Sequence, residues 1–60
     1  MTKEIYNIQR QKLMDDAQKL LDESKTAEAQ AKMKEVEALD AKFAEEAKIQ
    51  AHLTALAGQI

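Results

Sequence analysis

Asp22-Glu23-Ser24-Lys25-Thr26 decides the fold, because it is the one stretch of this chain where two helices can part. It holds five consecutive residues without a bulky apolar side chain, and Ser24 or Thr26 can cap a new helix with Glu28 in its first turn. The segment has no Gly or Pro, and neither Ser24 nor Thr26 is followed three residues later by Glu or Gln, so a full capping box is missing. Two outcomes are open: a turn at about 23–26 between two helices, or one helix running through. The turn is expected, since these residues have nothing apolar to bury.

On the N-terminal side, helical periodicity runs from about residue 3 to residue 22. Thr2 is placed to cap it, and Glu4 lies in the first turn, where the helix dipole favours an acid. Tyr6, Leu13, Ala17, Leu20 and Leu21 fall on one face at 100° per residue, with Ile5 and Ile8 beside it. Arg10, Lys12, Asp15, Asp16 and Lys19 are assigned largely to the other faces, and Asp15 with Lys19 has the spacing of a weak ion pair.

On the C-terminal side, alanine, glutamate, lysine and glutamine dominate from about residue 27 to residue 57, all strong helix formers. Val36, Leu39, Phe43 and Ala47 form an inward stripe, extended backwards by Ala29 and Met33. Ile49, Leu53, Leu56 and Ile60 form a second stripe, rotated by roughly 115° from the first. The change of face predicts a possible bend near 47–49.

These spacings predict an all-α fold: an antiparallel helical hairpin or short coiled-coil-like bundle in a single domain over 1–60. Its core would be Tyr6, Leu13, Ala17 and Leu20 against Met33, Val36, Leu39 and Phe43. Each paired helix would be about 30 Å long, so whatever follows Ala47 overhangs. The second stripe must then meet a bent-back third helix, a second copy of the chain, or a segment beyond Ile60. Because Ile60 itself lies on that stripe, continuation into a longer protein is expected.

Composition narrows the function. A chain of 60 residues buries only about 60% of the surface its unfolded form exposes, so self-association or a partner is expected. A third of the residues are charged, yet the net charge is −2 and the isoelectric point about 5.3, leaving no basic field for nucleic acid. Residues 1–10 carry Lys3, Glu4 and Arg10 and have no signal-peptide core. The uncharged stretch from Ile49 is too short and polar to span a bilayer, and Lys48 alone cannot make a basic membrane-binding face.

Catalytic and metal constellations are missing from the pattern. There is no Cys, and the one His, His52, has Lys48 and Ile49 at the preceding helical positions, so no ligand pair forms. Asp15-Asp16 and Glu45-Glu46 read as solvated acids, because general acid–base work would need a cleft to shift their pKa values. Tyr6 and Phe43, the only aromatics, read as packing residues, as do Met14 and Met33. No enzyme activity, cofactor, metal or small-molecule ligand is expected.

The N-terminal helix, the acid-rich turn and T-A-E-A-Q-A-K-M-K-E-V-E-A-L-D-A-K-F over 26–43 resemble the start of major capsid proteins of Hong Kong 97-type tailed phages. Thr26, Glu28, Met33, Leu39, Asp40 and Phe43 occupy places similar to that family's motif. The resemblance covers most of the chain. It implies a scaffolding domain, a helical extension that helps capsid subunits assemble into a procapsid in the host cytoplasm and is usually removed by a protease. Partners would be other copies or other capsid subunits. The alternatives are a small coiled-coil adaptor or regulatory protein that captures a partner helix, and an enzyme accessory subunit.

Overall fold

A computed structural model describes residues 1–58. It contains two helices, α1 (Lys3–Asp22) and α2 (Thr26–Ala57), packed side by side as an all-α hairpin. Ile60, expected on the second stripe, lies outside the described residues.

α1 starts as its sequence dictates. The Thr2 hydroxyl accepts a hydrogen bond from the Ile5 amide at 3.2 Å, satisfying one of the donors that a helix start leaves unpaired. Its end differs from the expected polar turn. Lys25 N–H donates to the Leu20 carbonyl at 2.8 Å and Ser24 N–H to the Leu21 carbonyl at 2.9 Å, the paired bonds of a Schellman motif. That motif needs a left-handed residue, and Ser24 supplies it at φ 61° where glycine is usual. Neither Ser24 nor Thr26 caps α2. Lys25 occupies the cap position without a side-chain hydrogen bond, and Thr26 is already helical, because Ser24 is committed to closing α1.

Packing follows the apolar stripes, with several corrections. Ala17, Ala29 and Val36 are the buried residues, at 7%, 4% and 5% exposure, while Tyr6, Leu13, Leu20, Leu39 and Phe43 are half-buried. Two alanines in the floor let the helices approach closely near the turn. Met33 was expected in this core but is 55% exposed; it sits about 60° around the helix from Val36, at the flank of the stripe. Met14 and Leu21 are exposed for the same reason, and Ala47 is exposed because α1 has already ended beside it. Asp15 does not pair with Lys19; its carboxylate accepts from the Gln11 side chain at 2.9 Å.

α2 continues through 47–49 without a break, so both stripes lie on one helix instead of meeting at a bend. No third helix folds back among the described residues. The hairpin ends where the Met1 amino group meets Glu46 at 2.9 Å, and α2 then projects about 16 Å further.

Candidate functional site

Two features stand out on this hairpin: a polar clasp between its helices and the apolar overhang beyond them. The clasp was missed in the sequence, where Arg10 was assigned outward. Arg10 Nε donates to Asp40 Oδ1 at 3.0 Å and its Nη2 to Oδ2 at 3.4 Å, while the Tyr6 hydroxyl donates to Oδ1. The Tyr6 ring stacks on Phe43, with centroids 4.1 Å apart and planes within 7°. The signal was present. At 100° per residue Arg10 lies only about 40° from Tyr6, and Asp40 the same angle from Val36, so each stripe carries one complementary charge.

The clasp shifts its own titrations. Hydrogen bonds from Arg10 and then Tyr6 hold the Asp40 carboxyl below its ordinary value. The Tyr6 phenol is pushed up, first by its bond to Asp40 and then by burial, and the Arg10 guanidinium is raised chiefly by its bond to Asp40. Glu46 is lowered by the hydrogen bond from the amino terminus. Each of these groups is already paired and none sits in a closed cleft, so the arrangement binds one helix to the other and offers no free acid or base.

The overhang presents Ile49, Leu53 and Leu56 at 59%, 59% and 53% exposure. All three carry the spacing of one helical face. Ile49 and Leu53 also border a notch where Met1 and Lys3 abut α2. Around the hairpin's other end, Met14, Leu21 and Met33 flank a shallow groove over Ala17 and Ala29. No family model, curated protein or solved structure matches this chain.

Among the described residues no group of His, Cys, Asp and Glu is placed to hold a metal ion, and no helix is long and apolar enough to cross a membrane. His52 is exposed on the overhang. An exposed apolar face on a rigid helix, projecting past its own partner, can dock against another helix and exclude water.

Proposed function

We propose that this chain is a structural assembly module, carrying out no reaction, whose overhang joins it to other chains. The observation that supports this is the 47–57 end of α2, which bears Ile49, Leu53 and Leu56 more than half exposed, with no third helix over them among the described residues. Burying two leucines contributes about 3 to 6 kcal/mol per chain before ordering costs, enough to decide between monomer and oligomer. With the resemblance of 26–43 to Hong Kong 97-type capsid proteins, the role is scaffolding: an N-terminal helical extension guiding capsid subunits into a procapsid in the host cytoplasm.

The test replaces Leu53 and Leu56 together with Asp. Helix content by circular dichroism should largely survive, because both residues are more than half exposed on the overhang, while the mass by sedimentation should fall towards 6.7 kDa. In a full-length capsid protein the procapsid yield should drop. An unchanged oligomer would remove the overhang from the assembly surface.

One observation favours an adaptor role instead. The Met14, Leu21 and Met33 groove has the flexible, polarisable walls that accommodate a partner helix. The reading frame separates the two: continuation past Ile60 into a long β-rich sequence supports scaffolding, and termination there supports the adaptor.

A further inference from the structure

We infer that the partner at the overhang is a second copy of this chain, with the two α2 helices paired antiparallel so that Leu56 of one copy faces Ala27 of the other. This rests on reading the overhang as an assembly surface, and adds to it the partner, the direction and the register.

The two ends of α2 are complementary in size on one meridian. Measured at 100° per residue from Val36, Ile49, Leu53 and Leu56 lie at about 200–260° and Ala27, Ala31 and Ala38 at about 180–220°. Ile49 and Leu53 at one end and Ala31 at the other border α1 at the edge of this sector, while Ala27, Ala38 and Leu56 lie further round, and all three alanines are exposed. An antiparallel pair in this register sets Leu56 on Ala27 and Leu53 beside Ala31 at each end. A parallel pair would set leucine on leucine at one end and alanine on alanine at the other, forcing the helices apart where the alanines should touch.

Charge selects the same direction. Lys42 and Glu45 lie in this sector at about 240° and 180°, between the two halves, and neither forms an ion pair among the described residues. With Leu56 facing Ala27, Glu45 sits one turn from Lys42 of the second copy on one side and one turn from its Lys34 on the other. The two-fold axis makes each contact twice. Parallel pairing in register would bring Lys42 to Lys42 and Glu45 to Glu45.

The elongated shape leaves exposed area enough for pairing along the helix. The chain exposes 4969 Å², whereas a compact monomer of its mass would expose about 3,900 Å². The excess, roughly 1,000 Å², is close to the 800 Å² or so that each partner of a standard interface buries. Contact along α2, about 48 Å long, draws on that excess, while contact between overhangs alone engages three large side chains per copy.

The chain has no cysteine, so introduced thiols report cleanly. In the full 60-residue chain, Ala27→Cys combined with Leu56→Cys should give a covalent dimer with a short bis-maleimide, and peptide mapping should join 27 to 56. Either substitution alone should not cross-link, since like positions in this register are about 43 Å apart. Cross-linking by Leu56→Cys alone or by Leu53→Cys alone would establish a parallel or an overhang-only pair; either overturns the register. Because Leu56→Cys removes contact area, a charge swap gives a second test. Lys42→Glu and Glu45→Lys should each weaken dimerisation roughly fivefold, and the two together should recover part of that loss, because the exchange restores the 42–45 contact while the 45–34 contact turns repulsive. Double variants that stay dimeric but neither cross-link nor show charge rescue would overturn the pairing while leaving the assembly role intact. A wild-type chain that sediments as a monomer at all concentrations would overturn both.

Discussion

Ser24 is the residue on which the hairpin turns, and it is poorly suited to its backbone. An L-residue in the left-handed region costs about 1–2 kcal/mol, and the Schellman bonds from Ser24 and Lys25 offset that cost without removing it. Glycine would adopt φ 61° freely, at the expense of greater unfolded-chain entropy. Ser24→Gly is therefore expected to stabilise the hairpin by about 0.5–1 kcal/mol, raising the melting temperature by roughly 2 to 8 °C at fixed protein concentration. Thermal melts followed by circular dichroism would check this, and an unchanged or lower midpoint would mean that the serine side chain contributes something glycine cannot. The sequence marked this segment as a turn through its lack of apolar residues, but not its geometry. The motif's usual glycine is absent, so nothing in the residue types announced the left-handed conformation.

Between the helices, the centres of the two apolar stripes coincide with the contact and their edges do not. Tyr6, Leu13, Ala17, Leu20, Val36, Leu39 and Phe43 all meet at the hairpin, because the centre of a stripe faces its partner whatever the detailed crossing. Met33 and Leu21 lie at the flanks, where a few tens of degrees decide burial, and periodicity does not resolve that. Arg10 points inward although its charge reads as outward orientation, and its partner Asp40 stands outside the apolar stripe that periodicity picks out. Their clasp predicts a pH dependence. Asp40 has a folded pKa below its unfolded value of about 4, so its contribution is fully present above that value and is lost as pH falls through the lower folded one. Tyr6 has the opposite sign: its folded pKa is raised, so its contribution is present below about 10 and lost as pH climbs through the folded value. Asp40→Asn should flatten the loss of melting temperature on acidification below pH 4 relative to wild type. As the chain has one tyrosine, an ultraviolet tyrosinate titration should also shift towards the ordinary value in that variant. Identical acid limbs and tyrosine titrations in the two proteins would show that the clasp contributes nothing in solution.

At the scale of the whole molecule the balance of burial is thin. The chain extends over 57 × 18 × 8 Å, and among the described residues only Ala17, Ala29 and Val36 are buried and no large side chain is fully enclosed. Ordering each residue costs on the order of 1–2 kcal/mol of backbone entropy, and two alanines and a valine offset little of that. Half-buried Tyr6, Leu13, Leu20, Leu39 and Phe43 add to the balance without closing a core. Helix propensity supports α2 locally, yet its 47–57 end runs past the start of α1, where only Met1 and Lys3 border it, beside Ile49 and Leu53. If a second chain covers the exposed stripe as proposed, stability depends on that contact, and mass action makes the dependence visible. The melting temperature should rise with protein concentration from the micromolar to the millimolar range, because dilution favours the less stable lone hairpin. Far-ultraviolet circular dichroism should show high helix content at the upper end of that range and partial loss at the lower. A midpoint independent of concentration, with helix content undiminished on dilution, would require that three buried residues and a clasp suffice for a hairpin that stands alone.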